Sequence, residues 1–135
     1  MKVLGIGVDV VETARIDSSL ARFGERFLHR VFVENEIAYC KSMPFPARHY
    51  AARFAAKEAV SKAFGTGIGG QIGWRDIEVR RKETGEPFIV LHGGARELAE
   101  RLNVSETLVS LSHSDHYSVA NAIVLCREQT ELLPS

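Results

Sequence analysis

Apolar residues recur at two different spacings along this chain, and each change of spacing marks an element. Over residues 3–11 the pattern alternates. Leu4, Ile6, Val8 and Val10 share one face, while Gly5, Gly7 and Asp9 share the other. This predicts a buried strand. The interval then lengthens, with Ile16, Leu20 and Phe23 forming the stripe of a helix that Thr13 is placed to cap. Gly24 ends or bends that helix. A short helix is predicted at 34–41, and Met43-Pro44-Phe45-Pro46 breaks it. Pro46 suits the first turn of a long helix running through Phe64 and closed by Gly65.

Strands are expected at 76–80 and 87–92, joined by a turn around Gly85. Residues 94–103 form an amphipathic helix with Ala95, Leu98, Ala99 and Leu102 on one side. Residues 107–112 and 117–126 read as a β-hairpin turning at Ser114–His116, and the end of the chain, 131–135, is expected to fray. Long helices with mostly antiparallel strands, lacking regular βαβ alternation, predict an α+β fold: an antiparallel sheet against one long central helix and shorter helices. With no repeat or linker in 135 residues, the chain is expected to form one domain over 1–135.

The long helix is the part that composition makes unusual. At 100° per residue, Tyr50, Phe54, Val60 and Phe64 make one apolar arc and alanines cover the opposite side. Glu58 and Lys62 therefore have no clean polar face and should be partly buried. A Glu–Lys pair at i, i+4 is worth a few tenths of a kcal/mol on a polar helix, but placement at the edge of a core favours a functional role. Phe54, Glu58 and Lys62 stack one above the other.

Asp9 closes a glycine-bearing strand, so backbone or ligand can approach its carboxylate. From the strand alone, a helix-capping role and a metal-ligand role stay equally open. The run Gly65-Thr66-Gly67-Ile68-Gly69-Gly70 follows a helix C-terminus, which repels anions, so it is not a Walker or Rossmann loop. A C-cap and turn is its simplest reading, and any phosphate nearby needs Lys62 and loop amides. Ser110-Leu111-Ser112-His113-Ser114-Asp115-His116 lacks the spacing of a catalytic triad or a zinc site and reads as a polar turn. His113, directly after the strand, stays open for ligand contact.

Charge and cysteine content narrow the classes. Seventeen basic residues balance seventeen acidic ones, which leaves no overall electrostatic footprint for nucleic acid. No run approaches the roughly 20 apolar residues of a membrane span, and Asp9 and Glu12 interrupt the apolar start too early for a signal peptide. Cys40 and Cys126 form no CxxC and read as free thiols of a reducing compartment. A cytoplasmic protein is expected.

Three segments together resemble the holo-acyl-carrier-protein synthase family, the small bacterial 4′-phosphopantetheinyl transferases. They are Gly7-Val8-Asp9 with Arg15-Ile16, then Phe54–Ala63 running into Gly65-Thr66-Gly67, and Ser110–Ser114. Asp76-Ile77 and Gly85-Glu86-Pro87 add to the match, which spans residue 5 to about 122. The resemblance implies that Asp9 and Glu58 bind Mg²⁺ and that Lys62, Gly65, Thr66, Gly67 and His113 lie near coenzyme A. Glu58 and Lys62 would take part in catalysis. A serine of acyl carrier protein would attack the β-phosphate, with 3′,5′-ADP leaving, in support of fatty acid biosynthesis.

The resemblance further implies a homotrimer with sites between subunits. It also implies a carrier-docking first helix, with Arg15 and Arg22 within about 20° of each other and Arg26 in line if Gly24 only bends the helix. The chain departs from the family at Val33, where Thr is expected, and Glu36 sits at a recurring acidic position without an assigned role. A hydrolase using the same carboxylates, or a non-catalytic coenzyme A module, is the alternative.

Overall fold

In the computed structural model, which describes residues 1–128, the chain runs β1 (Lys2–Glu12), α1 (Thr13–Phe23), α2 (Glu25–Val31), α3 (Glu34–Lys41) and α4 (Pro46–Ala63). A 3₁₀ turn at Trp74–Asp76 leads into β2 (Ile77–Arg81) and β3 (Pro87–Leu91), followed by α5 (Gly93–Arg101), β4 (Val104–His113) and β5 (Tyr117–Cys126). The fraying expected at 131–135 lies outside the described residues.

The sheet is antiparallel in the order β1-β5-β4, and β2 pairs with β3 in a separate hairpin beside β4. Asp9 stands opposite Ala120, which in turn stands opposite Leu111. Helix α4 lies across all three strands. Between Tyr50 and Ala63 every residue of α4 is buried except Glu58 and Lys62. That explains a sequence without a polar stripe: the helix is enclosed on nearly every side. The α+β architecture with one central helix is the one the sequence predicts.

Strand β1 departs from expectation. The alternation is present, but only one face is buried and it is the glycine face. A Cβ on Gly5 or Gly7 would overlap the carbonyl oxygens of Ala63 and Ala59, so the strand lies directly on the backbone of α4. The apolar face points outward, with Ile6 72% exposed and Val8, Val10, Leu108 and Ile123 beside it on the same sheet surface.

Four smaller points follow from local geometry. Glu12, not Thr13, is the N-cap of α1. Thr13 is the first helical residue; its N–H bonds His116 O at 2.8 Å, and its hydroxyl is buried without a hydrogen-bond partner among the described residues. Gly24 ends α1 rather than bending it, because its φ of 54° belongs to the left-handed region. Phe23, expected in the buried stripe, is exposed, whereas Ile16 is buried. Helix α5 stops at Arg101, earlier than expected, because Asn103 turns left-handed at φ 58°.

Candidate active site

Three of the residues singled out from sequence meet at the crossing of β1 and α4. Asp9 projects from the glycine face of β1 toward α4. Lys62 Nζ lies 3.1 Å from Asp9 Oδ1 and donates to Val8 O at 3.2 Å. Glu58 is one turn earlier on the same helix. Burial raises its pKa above the usual carboxylate range, the Asp9 charge adds to the rise, and Lys62 and Arg15 oppose it. The two carboxylates thus repel each other in a partly desolvated place. Lys62 answers Asp9 rather than forming the i, i+4 ion pair with Glu58. It is also more open than its helix suggested, with its side chain 48% exposed.

Two converging carboxylates beside a strand carbonyl form a donor set suited to a hard divalent cation, which would relieve their repulsion. Among the described residues no three His, Cys, Asp or Glu side chains converge. A cation at this place would keep most of its coordination shell for other oxygens.

The glycine run starts one turn beyond Lys62, and here the C-cap reading holds. Gly65 N donates to Lys62 O, and Thr66 N and Gly67 N both donate to Ser61 O. These three amides close the helix, so they are not free for a phosphate. Thr66 Oγ1 donates to Gly67 O at 2.8 Å. Gly65 and Gly67 hold φ of 84° and 68°, and a Cβ on either would meet nothing within 4 Å. What the loop offers is open backbone surface.

His113 does not join this cluster. It ends β4 and packs its ring on His49 at 5.5 Å, near the N-terminus of α4. His49 and Glu58 are nine positions apart, about 13 Å along the helix. Sequence reading missed what surrounds His113. Tyr39 lies 5.8 Å from the His49 ring, Arg53 stacks over Tyr39 at 4.3 Å, and Arg81 does so at 5.5 Å. Arg53 is buried, and its Nε has no hydrogen-bond partner among the described residues. Burial lowers the pKa of His49, and His113 and the neighbouring arginines lower it further. These side chains form a basic cluster, fit for an anion. Its one available sequence signal was the i, i+4 pair His49 and Arg53 on a helix with no acidic partner in register.

The arginines expected to meet a carrier lie on two helices. Arg15 stands over the Phe54 ring at 5.8 Å, and Arg22 over Phe23 at 5.2 Å. Arg26 is on α2, so it does not continue the α1 line. It reaches the same surface by another route, lining a groove of about 220 Å³ with Ser19, Phe23, Phe27 and Arg30.

The role of Glu36, unassigned from sequence, is set by a residue that sequence reading did not single out, Lys57. Glu36 and Lys57 are both fully buried and pair at 2.8 Å. Glu36 also accepts from Val33 N at 3.0 Å and Val79 N at 2.9 Å. Lys57 donates to Trp74 O at 3.0 Å and to Ile77 O.

Comparison with known proteins agrees with this architecture along most of the chain. Residues 5–122 match the 4′-phosphopantetheinyl transferase superfamily. The holo-[acyl-carrier-protein] synthase of Koribacter versatilis is 46% identical over 122 residues, covering 90% of this chain and 98% of that protein. The crystal structure of the Neisseria meningitidis holo-[acyl-carrier-protein] synthase superposes with a TM-score of 0.86 at 30% identity, covering 92% of this chain and 99% of that one. The Helicobacter pylori enzyme, solved in complex with coenzyme A, gives 0.80 at 33% identity, covering 89% and 99%.

Proposed function

Because this chain belongs to the 4′-phosphopantetheinyl transferase superfamily, we propose that it moves the 4′-phosphopantetheine group from coenzyme A to a serine of apo acyl carrier protein, releasing 3′,5′-ADP. The observation that carries this reading is the meeting of Asp9, Glu58 and Lys62 where β1 crosses α4. The serine oxygen forms a bond to the β-phosphorus as the bridging P–O bond breaks. The serine proton leaves to a base, and the electron pair of the broken bond departs with the nucleotide.

Asp9 and Glu58 would hold Mg²⁺, which when bound supplies charge compensation to the pyrophosphate oxygens. Lys62, half exposed beside Asp9, offsets phosphate charge on the attacked and departing groups. Thr66 and the open backbone of Gly65–Gly67 border the path of the phosphates.

The basic cluster of His49, Arg53, Arg81 and His113 suits the phosphate-rich nucleotide end of coenzyme A. In one chain it lies about 13 Å along α4 from Glu58, so we read each site as shared between copies. The outward apolar face of Ile6, Val8, Val10, Leu108 and Ile123 supports association, and a homotrimer is the assembly we propose. Arg15, Arg22 and Arg26 would receive the acidic surface of the carrier. No described helix is long and apolar enough to cross a membrane. We place the activity in the cytoplasm, in support of fatty acid biosynthesis.

The test is to incubate the protein with coenzyme A, Mg²⁺ and apo acyl carrier protein and weigh the carrier. One added phosphopantetheine on the carrier is expected. Free phosphopantetheine with an unmodified carrier would mean a hydrolase, and binding of coenzyme A without any product would mean a binding module.

A further inference from the structure

The glycine loop between α4 and β2 is anchored at its two ends by different means. At its start the amides of Thr66 and Gly67 close on Ser61 O. Along its length Gly65, Gly67, Gly69 and Gly70 all hold positive φ, and a side chain on any of them would meet nothing within 4 Å. Gly69 and Ile72 bond each other, and buried Ile72 supplies apolar anchorage, which has no direction.

Orientation enters at the far end. Lys57 is wholly buried and spends its three hydrogens on three oxygens: Glu36 Oε1, Trp74 O and Ile77 O. Two of these are main-chain carbonyls of the turn that ends the loop. The Trp74 ring also packs on Phe54 at 4.6 Å. Residue 74 is therefore held by its carbonyl, through Lys57, and by its ring, through Phe54, both on α4.

A charged side chain is a costly way to fasten a turn, since burial lowers the pKa of Lys57 against the pull of Glu36. Its advantage is directional. An apolar residue of the same size packs the space without fixing where the two carbonyls point.

We propose that Lys57 is a positioning residue, fixing the exit of the 65–73 loop against α4 so that the backbone following Lys62 is held in place for the phosphate-bearing substrate. The substrate part of this statement rests on the coenzyme A reading above, whereas the loop part does not.

The test compares Lys57→Met with Glu36→Gln. Both damage the buried pair, but only the first removes the bonds to Trp74 O and Ile77 O. Hydrogen exchange of the 65–77 amides and calorimetric titration with coenzyme A are read on both. Lys57→Met should exchange faster across 65–77, with the amides of Ala59–Ala63 near parent rates. It should bind coenzyme A about three- to tenfold more weakly, the effect of losing one or two oriented hydrogen bonds. Glu36→Gln should lower the melting temperature yet keep parent-like loop exchange and affinity.

Parent-like behaviour of Lys57→Met, or the same changes in both variants, would overturn the proposal and leave a pair that only stabilises the fold. If Lys57→Met does not fold, Lys57→Arg is read in the same way, since it keeps the charge but its wider head cannot reproduce the three bonds. A parent protein that fails to bind coenzyme A would count against the functional reading alone, and loop exchange would still decide the role of Lys57.

Discussion

Lys57 and Glu58 are neighbours on one helix and live under opposite electrostatic conditions. Lys57 is sealed in the core, and every hydrogen of its ammonium has an acceptor. Its partner Glu36 is likewise fully bonded. Glu58, one residue on, is partly desolvated, faces a second carboxylate, and has Lys62 turned toward Asp9 instead. The closed pair fastens helices and hairpin together. The open trio is left with unmet electrostatic demand, and that demand is what a cation and a pyrophosphate can satisfy. The proposed chemistry sits where the fold stops short of completing its own charges.

Emptying the open side should have the largest effect. Asp9→Ala or Glu58→Ala should cost about a hundredfold or more in transfer rate while the protein remains folded. Near-parent turnover at saturating Mg²⁺ would remove the metal assignment. Lys62→Ala should weaken coenzyme A binding or slow transfer by about tenfold, the low end for a charge-assisted contact, because the side chain is half exposed. Calorimetry and kinetics both matching the parent would sink that role.

Docking charges lie farther from the chemistry and should matter less. Reversing Arg15 and Arg22 to Glu should raise the apparent KM for the carrier a few-fold and flatten its dependence on salt, leaving coenzyme A affinity unchanged. Kinetics at low and high salt would check this, and unaltered carrier kinetics would move the docking face elsewhere.

The finest distinction lies in stability against pH. The folded pKa of Glu58 is raised, so its contribution is fully present below the unfolded value of 4.5 and is lost as pH rises through the folded one. Glu58→Gln should therefore melt slightly higher than the parent at pH 7 without divalent metal, with the difference vanishing near pH 4. Glu78 sits on the satisfied side. Burial pushes its pKa up, but bonds from Arg80, His92 and Asn35 outweigh this and hold it at about 2. Its contribution is present above 4.5 and lost as pH falls toward 2, so Glu78→Gln should melt lower at pH 7 and converge with the parent in acid. Melting curves across pH that move together in the two variants would erase the contrast.

Much of this was legible in sequence where one element carried the signal. The unbroken apolar and alanine surface of α4 predicted both its central position and the edge-of-core location of Glu58. Asp9 was legible through the glycines beside it. The pairing of Glu36 with Lys57 was not, because it joins residues 21 positions apart and depends on how α3 docks against α4. In sequence Lys57 is one more charge beside Glu58. The outward apolar face of β1 was misjudged for a related reason. Alternation tells which residues share a face, but which face is buried depended on Gly5 and Gly7 meeting the carbonyls of Ala63 and Ala59. The basic cluster around His113 draws on four separate elements, and no single window of sequence contains it.

That strand–helix contact also governs how the carboxylates move. A typical strand and helix are cushioned by a layer of side chains that can repack and let the two elements drift. Here glycine meets helix backbone with no cushion, so β1 and α4 travel as one rigid body at Gly7. Asp9 and Glu58 therefore cannot ease their repulsion by a slide of β1 along α4. Positive charge, whether the Lys62 ammonium, a proton or a metal ion, relieves it without moving the backbone, and the main-chain spacing of residues 9 and 58 should persist from one loading state to the next.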